Sequence, residues 1–339
     1  MATTPVLNSL SLSQYTDLIT RSFDNGLKSL VSMMRKSGIV VENPMPMHTG
    51  DTRRFGERLH MTQYASKRDE GSASSLASVQ YGYEKDLTIY TISLAVSITE
   101  RMRSAGKNQE ILDKITKLVN ICPETIDLDL THRLTFATAT TYTDRDGDSI
   151  NIAVGDTLAL LSAVHTLTGS STTYSNIISG NPQFSKGTLE NAEKLFAEET
   201  FDNLGIKMAM KGKVIITTDD PNTNNAVREL LGASADITSS NSGTINVYKN
   251  GYKHVSLPRL ATTAAGAVDS TKRKYRFLAS EDDSDFYLSV LKEPYLKTPS
   301  AGNNGEDLLT ENRTYTASAT IGMTIVTGRR IKGSTGLWT

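Results

Sequence analysis

The sequence predicts an α+β fold in two parts, and three observations carry that prediction. Residues 50–103 read as two long strands joined by a polar, charged tip. Residues 108–120 carry a one-sided apolar stripe at helical spacing, and from residue 186 onward helical and strand patterns alternate. At 339 residues the chain exceeds the usual single-domain size, which fits two domains.

Taken in order, residues 12–36 place Tyr15, Leu18, Ile19, Phe23, Leu27, Leu30, Val31 and Met34 at helical spacing. Ser11 and Gln14 stand before them as a capping-box pattern, and Asn25-Gly26 predicts a break or bend. The apolar face can pack on the chain's own body or lie across a neighbour. Pro44 and Pro46 then extend the backbone ahead of the hairpin.

The outgoing half of the hairpin sets Arg53, Arg54, Arg58, Lys67 and Arg68 against Asp51, Glu57, Asp69 and Glu70. The return half, residues 83–103, alternates apolar and polar residues through Leu87, Ile89, Ile92, Leu94, Val96 and Ile98, the period of a half-buried strand. A two-stranded ribbon is marginal in water by itself. The expected support is another copy of the chain.

Ile111, Leu112, Ile115, Leu118 and Val119 form the stripe of the helix at 108–120. Pro123 starts or kinks the next segment, and residues from Asp127 can continue as helix, giving a rod of about thirty residues and roughly 45 Å. The texture changes at Asp144 to the turn sequence DRDGDS and a Ser/Thr/Gly-rich stretch ending at Asn181-Pro182. A helix is predicted over 186–203, a buried strand over 213–218, and a second helix over 223–231 capped by Asp219-Asp220-Pro221. Together they make a compact α/β layer. Residues 232–243 read as a loop, and Asn250-Gly251 predicts a hairpin. Strand-like runs begin at Lys274, Phe286 and Arg313, with a loop, TPSAGNNGED, between the last two.

Composition narrows the function. A formal net charge of −1 gives no bulk electrostatic argument for tight nucleic-acid or anionic-membrane binding. The single cysteine, Cys122, excludes an internal disulfide and fits folding in a reducing cytoplasm. Neither a signal-peptide pattern nor a membrane-length apolar run is present, so no membrane partner is expected.

The search for chemistry assigns no catalytic residue, cofactor or metal. Asp144, Asp146 and Asp148 have the opening spacing of a calcium loop, but Ser149 replaces the required glycine and Gly155 stands where a glutamate should close the loop. Asp156, Ser162 and His165 invite a hydrolase reading without the glycine-flanked elbow that exposes a nucleophile. His48, His60, His132, His165 and His254 show no metal-ligand spacing, and no phosphate-cradling glycine loop occurs. Lys272, Arg273, Lys274 and Arg276 with Tyr275 allow weak, sequence-blind contact with DNA and no specific readout.

The order of elements, an amphipathic arm, a long charged hairpin, a long helix, an α/β layer and closing strands, resembles the major capsid proteins of tailed bacteriophages, the Hong Kong 97-like fold. YEKDLTIYTISLAVSITERMR is similar to that family's return strand into its spine helix, and GDTLALLSAVHTLTGSSTTYSNIISGNPQFSKGTLENAEKLF to a segment of Mu-like and related subunits. In the latter, Thr157 follows Gly155-Asp156, and Ser162 and Ala163 precede His165, a loose match to that segment's core. TTDDPNTNNAVRELL and NVYKNGYKHVSLPRL resemble the axial domain's central strand, helix and following strand.

The resemblance implies an N-terminal arm over 1–47, an extended loop over 48–92, a peripheral domain of 93–150 with 286–339, and an axial domain over 151–285. It implies a non-enzymatic shell protein whose hexamers and pentamers enclose double-stranded DNA in a virion assembled in the host cytoplasm. Scaffolding, portal and decoration proteins are the further partners it allows, with scaffolding, if needed, supplied by a separate protein. Arg53, Arg54, Arg58, Lys67, Arg68, Asp69 and Glu70 of the loop, and Tyr15, Leu18, Ile19 and Phe23 of the arm, become the expected contacts between subunits. The crosslinking lysine of some members has a positional counterpart in Lys67, with no partner assigned. The rival readings are an encapsulin-type compartment of the same fold and a serine hydrolase built on Asp156, Ser162 and His165.

Overall fold

A computed structural model describes residues 16–17, 19–24, 32–42, 51–180, 182–236, 244–280, 285–298 and 312–336. After helical residues at 16–17 and 19–24, the elements are α1 (Met33–Lys36), β1 (Val40–Glu42), β2 (Thr52–Met61), β3 (Val79–Thr88), β4 (Tyr90–Thr99), α2 (Glu100–Ser104) and α3 (Asn108–Thr135). Short strands come after α3: β5 (Thr141–Thr143), β6 (Ser149–Asn151), β7 (His165–Leu167) and β8 (Ser170–Tyr174). Next are α4 (Lys186–Glu198), β9 (Val214–Thr217), α5 (Pro221–Gly232) and β10 (Lys253–Ser256), then β11 (Arg276–Ala279), β12 (Phe286–Lys297), β13 (Asn312–Ile325) and β14 (Ile331–Ser334).

Two four-stranded sheets organise the chain, one ordered β1-β12-β13-β4 and the other β10-β9-β11-β14. The long helix α3 packs on the first sheet, with Ile111, Ile115, Leu118, Val119, Ile126 and Leu130 buried in the same cluster as Phe286, Leu288, Tyr315 and Ile321. Pro123 lies inside α3 and does not end it. The helix therefore runs for 28 residues, about 42 Å at 1.5 Å per residue. A proline removes one intrahelical hydrogen bond, and here tertiary burial on both sides outweighs that loss.

The second sheet is covered on both faces. All four residues of β9 are buried: Val214 and Ile216 join the main core, while Ile215 joins Leu189, Phe196, Val227 and Leu230 of α4 and α5. That division is the two-residue period of a strand. Ser185 and Thr188 close a capping box on α4, and Asp220 caps α5 with Pro221 in its first turn.

Several expectations are corrected. The return strand is two strands, β3 and β4, broken at Ile89; β3 belongs to the two-stranded hairpin with β2, and β4 to the first sheet. The apolar phase records the break, since Leu87 and Ile89 are odd-numbered and Ile92, Leu94, Val96 and Ile98 even-numbered. Asn250-Gly251 does not make a hairpin. Asn250 takes a left-handed turn, and β10 pairs in parallel with β9 through α5. In the Ser/Thr/Gly-rich stretch, β7 and β8 form a small antiparallel pair. β14 pairs with β11, so these C-terminal residues sit in the second sheet and not with β12 and β13. The loops expected at 232–243 and over TPSAGNNGED, and the Asn25-Gly26 bend, lie largely or wholly outside the described residues.

Inside β14, Lys332 is fully buried. Its Nζ donates to the carbonyls of Ser175 (3.3 Å) and Glu199 (3.1 Å) and lies over the rings of Tyr174 and Phe196. Burial draws its pKa down to about 7, against the pull of the Glu199 carboxylate. Because the folded value lies below that of a free lysine, the unfolded chain binds more protons between the two values, and stability rises with pH across that window. Lys85, drawn down to about 8 by burial and Arg133, adds slope of the same sign. We expect the melting temperature to be higher at pH 9 than at pH 6.5, and Lys332→Met to shrink the difference; an unchanged slope in that variant would contradict this placement. No described helix is long and apolar enough to cross a membrane.

Candidate functional site: the anchored hairpin

The β2–β3 hairpin has a buried base and an open tip. At the base, Phe55, Leu87 and Val326 form a small apolar cluster, and the Phe55 ring stacks on Tyr287 at 4.5 Å. Leu87 comes so close to β13 that a side chain at Gly322 would meet Leu87 Cδ2 at 2.4 Å and the Thr88 carbonyl at 2.9 Å. Glycine is required there by the crossing of the two chains.

Beside this cluster Glu57 accepts from Arg329 at 2.7 Å, both side chains being less than a tenth exposed. The Tyr83 N–H also points at Glu57 Oε2, at 3.4 Å. Burial pushes the Glu57 carboxyl above the usual carboxylate range, with Arg329 and the Tyr83 N–H pulling against it. Gly82 leaves room for that carboxylate, since a Cβ there would stand 2.5 Å from Glu57 Oε2. Farther out, Tyr83 Oη and Thr166 Oγ1 are 2.7 Å apart, Asn203 Nδ2 donates to Gln80 Oε1 at 2.7 Å, and Tyr64 Oη donates to Asp202. Part of the hairpin's support is thus the chain's own body.

Beyond the Thr62 N–H to Ser78 carbonyl bond at 3.1 Å, the tip meets the body through Tyr64 and Asp202 and otherwise makes contacts within itself. Gln63 donates to the Leu76 carbonyl, Ser66 meets Ser75, and Arg68 donates to Ser74. Every residue from 61 to 79 is exposed, Leu76 at 95% and Val79 at 65%.

The expected contact residues divide accordingly. Lys67, Arg68, Asp69 and Glu70 stand exposed at the tip. Arg53 is half-buried over the Phe55 ring at 5.0 Å, and Arg54 bonds across the hairpin to Asp86 (2.7 Å) and Glu84 (3.2 Å). Arg58 lies on β2 opposite Tyr81, its side chain outside the described residues. Tyr15 and Leu18 also lie outside them. Ile19 and Phe23 do not offer themselves to a neighbour in this structure: both are fully buried in the main core with Met34 and Ile39, because their helical spacing matches an apolar face of the chain's own body.

The chemical candidates resolve into structural roles. His165 Nδ1 lies 2.7 Å from Asp156 Oδ2, but its Nε2 faces the Leu160 carbonyl at 3.2 Å. Ser162 Oγ accepts from the Val164 N–H. A general base needs a free ring nitrogen facing the nucleophile, and a carbonyl occupies that place. Burial raises the Asp156 pKa, yet His165 and the N–H groups of Leu158 and Thr166 outweigh it and hold the carboxyl below its usual range. Asp144 Oδ1 accepts from the N–H groups of Asp146 and Asp148, shaping a turn. Among the described residues no cluster of His, Cys, Asp or Glu is placed to hold a metal ion. Arg276, from the basic run, is 4% exposed within an interior strand, and Lys272 sits over the Phe136 ring and pairs with Asp269.

The fold, compared with solved structures, is that of phage capsid subunits. The chain is similar to the capsid of Myoviridae phage XM1 (TM-score 0.50, 11% identity, 91% of this chain and 93% of that one). It is similar at the same TM-score to the capsid of an empty GTA particle (9% identity, 90% of each chain) and to the capsid of cyanophage P-SCSP1u (11% identity, 88% of this chain and 86% of that one). No family model and no curated protein matches the sequence.

Proposed function

We propose that this chain is a major capsid protein of the Hong Kong 97-like type, which self-assembles into an icosahedral head shell around phage double-stranded DNA. The observation that carries the reading is a capsid fold bearing a hairpin whose base is buried and whose tip, residues 61–79, is exposed. A folded single subunit leaves such a tip without cover. A shell gives it a neighbour.

On this reading residues 1–47 are the arm, 48–92 the extended loop, and 93–150 with β12 and β13 the peripheral part. The axial part is 151–285 together with β14, and it meets its copies at the centre of hexamers and pentamers. Lys67, Arg68, Asp69 and Glu70 reach a neighbour, while Arg53 and Arg54 stiffen the hairpin from which they project. A single exposed ion pair contributes about 0–1 kcal/mol, so specificity comes from many such contacts together. Near-neutral net charge favours close packing of copies.

Heads isolated from the lysate of the producing host should carry this chain and hold DNA that survives nuclease. Particles of this chain filled with protein and free of protected DNA would overturn the virion reading in favour of a cargo compartment.

A further inference from the structure

Arg276 is a buried charge without a counterion among the described residues. It opens β11 between Thr217 of β9 and Ser334 of β14, is 4% exposed, and finds no acceptor for either of its terminal nitrogens. Burial alone draws its pKa down to about 10, with no carboxylate holding it up. Arg329, by contrast, is paired with Glu57. A charge buried and left unpaired is strongly destabilising, and the guanidinium fork has the shape that takes an oxyanion.

Leu278, two residues on, packs in the cluster of α4 and α5 with Leu189 and Ile215, so by strand alternation Arg276 faces the same helices. Its guanidinium carbon lies 5.5 Å from the centre of the Phe184 ring, directly ahead of the Ser185 cap of α4. A ring face attracts a cation but offers no lone pair to its in-plane N–H groups. Both helices begin at this end of the sheet: Thr217 Oγ1 donates to Asn224 of α5, and Ser334 Oγ donates to the carbonyl of Pro182 just before α4.

The two helix starts differ in charge. Asp220 fills that of α5, accepting from the N–H and hydroxyl of Thr223, whereas the first turn of α4 holds no acidic residue. The N–H groups of Lys186 and Gly187 have no acceptor among the described residues. Gly187 is exposed, and a Cβ there would meet nothing within 4 Å. An open helix start presents free N–H groups and partial positive charge to an anion.

We propose that Arg276 and the start of α4 bind a small inorganic oxyanion of the phosphate type. The guanidinium supplies donors from inside, and the N–H groups of Lys186 and Gly187 supply theirs from the solvent side. Bound there, the anion neutralises the buried charge and ties α4 to the second sheet. DNA phosphate shares this chemistry, but a duplex backbone cannot follow into a position 4% exposed. The site does not depend on assembly and stands or falls apart from the shell reading.

The test is thermal unfolding of the full-length chain below its assembly threshold, in Tris chloride with inorganic phosphate titrated in at constant ionic strength. Tm should rise along a saturation curve, by about 5 °C at a hundredfold excess over Kd. Arg276→Met should fold, be no less stable than the parent without phosphate, and lose the saturable rise, keeping only the weak linear gain phosphate gives proteins in general. Gly187→Asp places a carboxylate at the start of α4; it should raise Tm without phosphate and weaken phosphate binding by about tenfold. A parent with no saturable rise overturns the site, as does the same rise in Arg276→Met. Unchanged phosphate affinity in Gly187→Asp also overturns it, and decides the matter should Arg276→Met fail to fold. A saturable rise with a short DNA duplex and none with phosphate overturns the small-ion assignment.

Discussion

Replacing residues 63–77 with an Asn-Gly turn leaves a folded subunit that no longer assembles. The tip buries none of its side chains in the chain's own core, and the bond from the Thr62 N–H to the Ser78 carbonyl marks where the two strands can be rejoined in register. Asn-Gly favours the two-residue turn whose twist matches flanking strands. The base keeps its apolar cluster, its Glu57–Arg329 pair and the bond from Asn203 to Gln80. From the body's side the change removes Tyr64 and its contact with Asp202. Thermal unfolding should therefore change by no more than a few degrees, while particles disappear from sedimentation profiles. Shells of ordinary size and yield from the shortened chain would remove the hairpin from the assembly mechanism.

Glu57→Ala should cost about 3–5 kcal/mol of stability, because removing one partner of a buried ion pair strands the other charge away from water. Arg329 is 7% exposed at its side chain and has Glu57 as its ion-pair partner at 2.7 Å. The double variant Glu57→Leu with Arg329→Met replaces the pair by apolar groups of similar size and should cost far less than the single change. Urea denaturation at unchanged m-value separates the two outcomes. Equal losses in both variants would mean that the site is stabilised by shape and not by charge pairing.

Local chemistry explains which parts of this fold were legible in the sequence. Helix α5 announces itself through Asp220-Pro221, whose cap and preset φ act within one turn. The stripe of α3 is equally plain, but its continuation past Pro123 depends on burial by distant strands, which a proline in isolation does not reveal. Asn250-Gly251 does turn the chain, yet the strand after it finds its partner across α5, so the turn was readable and the pairing was not. The division of the return strand was written in the phase slip at Ile89-Tyr90, a signal visible in the sequence and easily passed over.

The site shows the same contrast. The exposed charges of the tip follow from their local sequence, whereas the anchor does not. Glu57 sits among surface-like charges, and only the fold brings Arg329 to it from the far end of the chain. The arm shows the reverse. Ile19 and Phe23 have the spacing of an apolar face, but spacing cannot say whether that face meets the chain's own core or a neighbour's; in this structure it is the former.

Negative-stain electron microscopy of the purified full-length chain, taken through increasing concentration, tests the central claim most directly. Assembly through exposed tips predicts closed shells of uniform diameter above a threshold concentration. A chain that sediments as a single subunit at every concentration, with no shells on the grid, would contradict it.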